Sequence, residues 1–383
     1  MKIAIVHDQL REFGGAERVL VSLKEIYPQA DVFTSTFSLS SLGNHAHLIK
    51  KWNIQTSWFG KIPFINNLYS PLRFLTPLIW ESFDFSNYDL VISSTGSWMC
   101  KGVKTKKSTL HISYIHHPPR YLYGYETAVE WQKHLFIRIY GTFINHFLRM
   151  WDWEASHRPD YLIANSLETQ KRIEKFYRRE STVIYPPVHI FPSFANSPFN
   201  YSQGKQPPIA NYYITVSRLA RAKHIDLLIK AANRAHFQLK IVGTGRDMKY
   251  LQSIAGPTIT FLGNLTDSEL IQTYKEAKAF LFASVDEEFG IAPIEAMGYG
   301  IPVIAYSSGG LKETVHENIN GFLFDEQTEQ SLIEKIKKLE SLSENDYIQM
   351  RKEARKESEK YTEEKFKKNI MNFINSKLKI RQG

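Results

Sequence analysis

The sequence predicts an α/β protein of two domains, each a parallel sheet covered by helices on both faces, with the two facing each other across a cleft. Three observations carry that expectation. The chain has 383 residues, and at roughly 150 residues per domain that is two domains rather than one. Short apolar runs alternate with stretches of helical spacing, the signature of strand–helix–strand units. A polar, Pro-containing stretch without periodicity interrupts the alternation near the middle.

Taken in order, Ile3–His7 reads as a buried strand, followed by the loop Asp8–Gly15 and a helix over Ala16–Tyr27 with apolar spacing at Val19, Leu20, Leu23 and Ile26. Asp31–Phe37, Tyr88–Ser94, Leu110–His116 and Tyr161–Ser166 read as further strands, each before a polar or Gly/Pro-rich loop, and Thr182–Tyr185 closes the half. Tyr185-Pro-Pro-Val188 leads into the aperiodic stretch, so the expected division is a first domain over 1–188, a linker over 189–210, a second domain over 211–360 and a C-terminal helix or tail over 361–383. In the second half Tyr212–Ser217, Gln238–Val242, Thr258–Leu262, Ala279–Phe282 and Pro302–Tyr306 are the expected strands. Ile225–Ala235, Ser268–Ala277 and Leu311–Glu317 are helices, and a charged helical stretch runs from Glu329 to about Lys379. Ligands of open parallel sheets bind at the carboxyl ends of the strands.

Hydrophobic residues make up 43% of the chain, enough for sizeable cores and too many for a disordered protein. The single cysteine, Cys100, cannot form an internal disulfide or a cysteine-based metal site, which excludes a disulfide-stapled secreted fold. The N-terminal apolar run is too short for a secretory signal, and no window approaches 18 uninterrupted apolar residues, so no transmembrane helix is expected. The expected location is the cytoplasm. The formal charge is +9. Residues 1–188 hold 22 basic and 16 acidic residues, residues 189–350 hold 15 and 18, and residues 351–383 hold 11 and 5. The positive charge therefore flanks a slightly acidic middle and favours an anionic partner. No nucleic-acid motif accompanies it, so nucleic acid is not the expected partner.

Four segments have the composition of a site. In Glu287-Glu288-Phe289-Gly290-Ile291-Ala292-Pro293-Ile294-Glu295, a strand gives way to a helix with Pro293 in its first turn. The amides of Gly290 and Ile291 would point at an anion or a hydroxyl, and Glu287 and Glu295 could each accept from vicinal hydroxyls. Two surface glutamates flanking an ordinary turn would read the same way. In Ser217-Arg218-Leu219-Ala220-Arg221-Ala222-Lys223-His224, Arg218 and Lys223 lie five residues apart in a loop after a strand, an arrangement that can clamp a diphosphate without a metal. Arg221 is expected to be ordinary solvated charge. Gly14-Gly15 follows the first strand and would let a ligand approach backbone at a helix start. His116 ends a strand. Its neighbour His117 points to the opposite face, which argues against a metal pair. Gly243-Thr-Gly245 lacks the third glycine of a dinucleotide fingerprint and reads as a tight turn.

Together these segments resemble the retaining glycosyltransferases of family four, which have the GT-B fold of two Rossmann-like domains. Glu287 and Glu295 resemble the family's E-x7-E signature. Arg218 and Lys223 match its diphosphate-binding Arg and Lys, Gly14 and Gly15 its N-terminal glycine loop, and His116 its histidine near the donor sugar. Gly14-Gly-Ala-Glu-Arg-Val19, Tyr88-Asp-Leu-Val-Ile-Ser-Ser94, His117-Pro-Pro-Arg-Tyr121, Ile184-Tyr-Pro-Pro-Val188 and Val303-Ile-Ala-Tyr306 with Gly309-Gly310 are similar to a bacterial subgroup of mannosyltransferases that build lipopolysaccharide O-antigen or capsule, often from GDP-mannose. Two positions depart: His117 stands where the subgroup usually has Thr, and His224 where the broader family usually has Gly.

The resemblance implies a retaining, metal-independent transfer of a hexose from a nucleotide diphosphate sugar, GDP-mannose first, to a hydroxyl of a glycan or lipid-linked acceptor. Arg218, Lys223, Glu287 and His116 are then the catalytic set, and Gly14, Gly15, Gly290, Ile291 and Glu295 bind the donor. A UDP-sugar donor and a nucleotide-sugar epimerase on the same scaffold remain alternatives, and a basic nucleic-acid-binding protein a distant one. Trp131–Trp153 and Phe64–Trp80 are dense in aromatic and apolar residues. They read equally as buried core helices or as a surface for an anionic membrane, which would make the enzyme peripheral on the inner face of the cell membrane.

Overall fold

Every residue of Ile3–His7 (β1) is buried, as a strand in a parallel sheet covered on both faces must be. A computed structural model describes residues 1–62, 65, 71–127, 135–189 and 211–382. It divides into two compact units. Of the described residues, one unit holds 1–125, 135–187 and 363–382, the other 188–189 and 211–362 with Glu126 and Thr127. From residue 190 onward the expected linker lies outside the described residues.

In the first unit β1 is followed by a helix at Gly15–Ile26 (α1), then Asp31–Thr34 (β2), Ile54–Thr56 (β3), Leu90–Thr95 (β4), Leu110–Ile115 (β5), helix Leu135–Ser156 (α2), Tyr161–Ala164 (β6), helix Leu167–Tyr177 (α3) and Thr182–Val183 (β7). The sheet order is β3-β2-β1-β4-β5-β6-β7, with every pairing parallel. The chain builds outward from β1 to one edge, then returns to the other side through β4. The carboxyl ends of β1 and β4 are therefore a topological switch point. The second strand is shorter than expected because the chain turns after Thr34. Phe37 rejoins only as an isolated bridge to Leu10.

The second unit repeats the plan. Tyr212–Val216 (β8), helix Ile225–Ala235 (α4), Gln238–Val242 (β9), Ile259–Gly263 (β10), helix Asp267–Glu276 (α5), Ala279–Phe282 (β11), helix Ile291–Gly298 (α6), Val303–Tyr306 (β12) and Gly321–Phe324 (β13) precede helices Glu329–Glu340 (α7) and Glu344–Ser358 (α8). The order β10-β9-β8-β11-β12-β13 is parallel throughout and puts its switch point between β8 and β11. Each unit is thus a Rossmann-like parallel sheet, as the sequence predicts.

The last helix, Glu363–Gln382 (α9), belongs to the first unit. Phe366, Ile370 and Ile374 enter the core that holds Ile5, Leu20 and Leu23. Lys367 pairs with Glu25 at 2.7 Å and Arg381 with Asp160 at 3.2 Å. The basic tail thus spends part of its charge on partners within the protein. Inside the same unit Lys101 and Asp152 form an ion pair with side chains 1% and 0% exposed, and Tyr123 donates to Asp152 at 2.7 Å. This pair ties the loop after β4 to α2.

On α2, only the side carrying Leu148, Asp152 and Ala155 is buried. Phe136, Ile139, Tyr140, Phe143, Phe147 and Met150 recur at three- and four-residue spacing and are exposed, Phe136 to 85%. The buried-core reading of this helix therefore fails for its apolar stripe. Residues 131–134 of the segment, and residues 64 and 66–70 of the other aromatic segment, lie outside the described residues. In the latter segment Ile79 and Trp80 are core while Phe74 and Leu78 are exposed.

Candidate active site

In the second unit the loops that follow β8 and β11 meet. After β8 the chain makes a short 3-10 turn over Arg221–Lys223. Lys223 Nζ lies 2.6 Å from Glu287 Oε2, in the loop after β11. Ser284 Oγ donates to the same carboxylate oxygen at 3.0 Å and stands 3.1 Å from the carbonyl of Ala222, so one hydroxyl bridges both loops. Two predicted site residues, Lys223 and Glu287, are thus in direct contact. Arg218, in the same loop, is exposed. Arg221 is engaged elsewhere, 3.5 Å from Asp247 and over the ring of Tyr250.

Both loops are shaped by glycines. Gly309 has φ +56° and Gly310 donates to the Glu287 carbonyl at 2.8 Å. A Cβ on Gly309 would stand 2.0 Å from that carbonyl oxygen, and one on Gly310 2.2 Å from the Glu288 oxygen, so no side chain fits at either. In the same way the Gly243-Thr-Gly245 turn supports the Arg218 loop. Leu219 donates to the Thr244 carbonyl at 2.9 Å, and a Cβ on Gly245 would come within 2.1 Å of the Leu219 oxygen.

His224, at φ +47°, is a non-glycine residue in the left-handed region, which explains why glycine is the usual occupant. Its Nε2 lies 2.8 Å from Glu126 Oε2, a contact glycine could not make.

Gly290, at φ +87°, caps α6, and Ile291 begins it. Their amides belong to the first turn, which has no intrahelical acceptors, and carry the positive end of the helix dipole. Glu295 lies in the second turn, half-buried. Burial first, then the charges of Glu295 and Asp267, pushes the phenol of Tyr299 well above its usual range, so Tyr299 stays a neutral neighbour of that carboxylate.

In the first unit Gly14 caps α1. Its amide donates to Glu17 Oε2 at 2.8 Å, and Glu17 Oε1 lies 3.4 Å from His7 Nε2. His7 Nδ1 is 3.1 Å from Ser94 Oγ, which is 2.7 Å from His116 Nε2. All four side chains are buried, at the carboxyl ends of β1, β4 and β5 and the start of α1. Asp8 completes the floor. It accepts from the amides of Gly96 and Trp98 at 2.8 Å and of Cys100 at 2.9 Å, and so fixes the loop after β4. The predicted residues Gly14 and His116 thus lie on one hydrogen-bonded line, with Gly15 at the first position of α1. Sequence reasoning assigned no role to Asp8, His7, Glu17 or Ser94. The available signal was position: each stands at or just past a strand end at the switch point, or in the first helical turn after it.

Residues 200–357 match the family of group 1 glycosyl transferases. A peptide N-acetylglucosaminyltransferase GtfA subunit of Streptococcus pneumoniae, which uses UDP-N-acetylglucosamine by its name, is 27% identical over 258 residues, 63% of this chain and 47% of its own length. A GDP-mannose-dependent alpha-mannosyltransferase of Corynebacterium glutamicum is 37% identical over 110 residues, 29% of this chain and 26% of its own. The chain thus spans about half the length of the first relative and about a quarter of the second. Among solved structures, sucrose-phosphate synthase from Thermosynechococcus elongatus superposes with a TM-score of 0.73 at 17% identity, covering 99% of this chain and all of that one. Anabaena HepE in complex with UDP-glucose gives 0.68 at 20% identity, covering 98% and all. At these identities the likeness is one of fold.

Proposed function

We propose that this chain, whose residues 200–357 carry the group 1 glycosyl transferase match, moves a hexose from a nucleotide diphosphate sugar to a hydroxyl of a glycan or lipid-linked acceptor, with retention at the anomeric carbon. The observation that carries the reading is the Lys223–Glu287 contact at the switch point of the second sheet, beside the start of α6. Breaking the glycosidic bond puts negative charge on the departing diphosphate. An ammonium has three N–H donors, and one serves Glu287. The others, with Arg218 and the Gly290 and Ile291 amides, would stabilise that charge as it develops, which lowers the barrier rather than merely holding substrate. Glu287 would orient Lys223 and accept from donor-sugar hydroxyls, and Glu295 would accept from the ribose. On the first unit, the Gly14–Gly15 loop, through the Gly15 amide, and His116 are the proposed donor contacts. Cations and amides perform the metal's usual task, so the reaction should run in EDTA.

For the donor we favour GDP-mannose, on the strength of mannosyltransferase relatives at 37% and 38% identity over 110 residues. A UDP-sugar is the second reading, favoured by the longer but more divergent GtfA match. A panel of GDP-mannose, UDP-glucose and UDP-N-acetylglucosamine, read by thermal shift and then by nucleotide release, tests both. Release of free nucleotide diphosphate only when acceptor is present supports transfer, whereas an altered sugar still attached to its nucleotide would mean epimerisation. If none of the three shifts the melting temperature, the donor assignment fails.

The exposed stripe of α2 supports a further partner, an anionic membrane surface. Residues 135–151 contain Arg138, His146 and Arg149 and no acidic residue. Apolar side chains flanked by cations are what an interfacial helix presents to anionic lipid. No described helix is long and apolar enough to cross a membrane. Flotation with anionic and neutral liposomes at low salt decides: the wild type should float with the anionic ones, and Phe143→Glu/Phe147→Glu should not. Absence of wild-type flotation removes this partner.

A further inference from the structure

We propose that Arg73 binds the phosphate or diphosphate of a lipid-linked acceptor, whose apolar chain lies along Phe74, Leu78 and the exposed stripe of α2. Arg73 stands half-buried in the 3-10 turn Pro71–Leu75. Its guanidinium carbon lies 4.0 Å from the centroid of the Tyr121 ring and 5.8 Å from that of Trp98. Trp98 follows β4 and Tyr121 follows β5, and the Tyr121 hydroxyl donates to the Ser97 carbonyl at 3.2 Å. The cation is thus held at the carboxyl ends of the first sheet's strands, the edge at which His116 stands.

The guanidinium is only partly used there. Arg73 Nε is shut off from solvent without a hydrogen-bond acceptor, and among the described residues no carboxylate pairs with the side chain. The carboxylates whose charge reaches Tyr121 are Asp152 and Asp8. Both are committed, Asp152 to Lys101 and Tyr123, and Asp8 to the amides of Gly96, Trp98 and Cys100. A donor removed from water without an acceptor is costly, and a cation without a counter-charge more so. A phosphate on the two Nη nitrogens supplies that charge, because two of its oxygens match their parallel N–H bonds. Stacking on Tyr121 fixes the plane of the fork, so less freedom is lost when the anion binds.

The surroundings choose the kind of phosphate. Phe74 and Leu78, one and five residues beyond Arg73, are 43% and 59% exposed. Tyr140 of α2 donates to the Pro71 carbonyl and so joins the exposed stripe of that helix to the turn that carries Arg73. The phosphate ester of a long-chain alcohol presents both a charge and an apolar chain. A soluble sugar phosphate presents only the charge.

The test is calorimetry on the full chain with geranyl diphosphate and inorganic pyrophosphate. Lys223→Ala serves as the background, so that the proposed diphosphate clamp of the second unit does not contribute. Geranyl diphosphate should bind this protein more tightly than inorganic pyrophosphate does. Adding Arg73→Gln should weaken the prenyl ester by about tenfold or more, the loss of a charge-assisted pair of hydrogen bonds. Should Arg73→Gln not fold, Arg73→Lys keeps the charge without the planar fork and should weaken it in the same direction.

Equal geranyl diphosphate affinity with and without Arg73 in folded protein overturns the proposal, as does the absence of binding to the Lys223→Ala protein. Equal affinity for the two probes overturns the lipid-linked assignment. An Arg73 that merely supports the two rings would lower the melting temperature and leave the preference for the prenyl ester intact, which also overturns it. Loss of flotation on phosphatidylglycerol vesicles by Arg73→Gln, with geranyl diphosphate affinity unchanged, would assign Arg73 to bulk headgroups instead.

That the ester is an acceptor rests on the transferase reading, but its binding does not. Given a working assay, Arg73→Gln should raise the acceptor KM about tenfold at unchanged donor KM. Arg73-dependent binding in a protein that turns over no nucleotide sugar would keep this inference and remove the function. Turnover indifferent to Arg73→Gln would do the reverse.

Discussion

Lys223 Nζ and Glu287 Oε2 lie 2.6 Å apart across 64 residues of sequence, with Ser284 bridging their loops. This contact joins the loop after β8 to the loop after β11, and it underlies the first prediction. Lys223→Ala should cut kcat by about 100-fold or more, the loss that follows removal of one transition-state donor. Glu287→Gln keeps the shape but leaves the ammonium without its counter-charge, and should also lower kcat. Steady-state rates with the best donor are the check, and an unchanged kcat in Lys223→Ala would exclude this lysine from charge stabilisation.

Glu295 is predicted to act on binding rather than on the chemical step. Calorimetry with free nucleotide should show weaker affinity for Glu295→Ala, by roughly 1.5–3 kcal/mol for a lost hydrogen bond to a charged group. Equal affinity in the two proteins would rule out the ribose contact.

Gly309 tests the backbone beneath Glu287. With φ +56° and a carbonyl oxygen 2.0 Å from where a Cβ would stand, Gly309→Ala must displace the Glu287 backbone. The variant should lose more than about 1 kcal/mol of stability, and its activity should fall further than stability alone explains. Chemical denaturation together with kinetics separates the two effects.

His111 gives a pH dependence. The ring is fully buried, with Ser93 Oγ 3.0 Å from its Nε2. Burial first, then the charges of Arg179 and Arg158, lowers its pKa from 6.5 to about 3. The unfolded chain therefore binds a proton below pH 6.5 that the folded one refuses down to pH 3. Stability from this group is complete above pH 6.5 and is lost as pH falls through that window. The loss is about 1.4 kcal/mol per pH unit, or about 2 kcal/mol at pH 5. Melting curves of wild type and His111→Gln between pH 7.5 and 5 should converge as pH falls, and parallel curves would contradict the assignment.

The buried pair Lys101–Asp152 should be far less tolerant of substitution than any surface pair. Asp152→Ala leaves an ammonium buried without a partner and should cost about 3–5 kcal/mol. Replacing both residues with apolar ones of similar size should recover much of that loss. Urea titrations of the single and double variants measure the difference.

The sequence revealed the strands most clearly where both faces are buried. Ile3–His7 and Ala279–Phe282 end where the apolar runs end, because a strand covered on both faces is largely apolar. It was silent on Ile54–Thr56, an edge strand with no fully buried residue and so no apolar run. Gly321–Phe324 was missed too, although it is mostly buried.

For the site, residue type and spacing picked out Lys223, Glu287, Gly14 and His116. They could not pair Lys223 with Glu287, since that depends on β8 and β11 being sheet neighbours. Nor could they show Glu17, His7 and Ser94 in line with His116, which requires β1, β4 and β5 side by side in register.

By itself the sequence determined two parallel α/β halves and the chemical kinds of side chain at their strand ends, because burial and backbone propensity are written locally along the chain. Tertiary structure alone decided which of those side chains meet. It also decided that the apolar stripe of α2 faces outward and that the basic C-terminal helix packs on the first sheet. The physical reason is that contacts between residues tens to hundreds of positions apart are set by the order of strands in a sheet and by competition for one core, and neither leaves a local mark in composition or period.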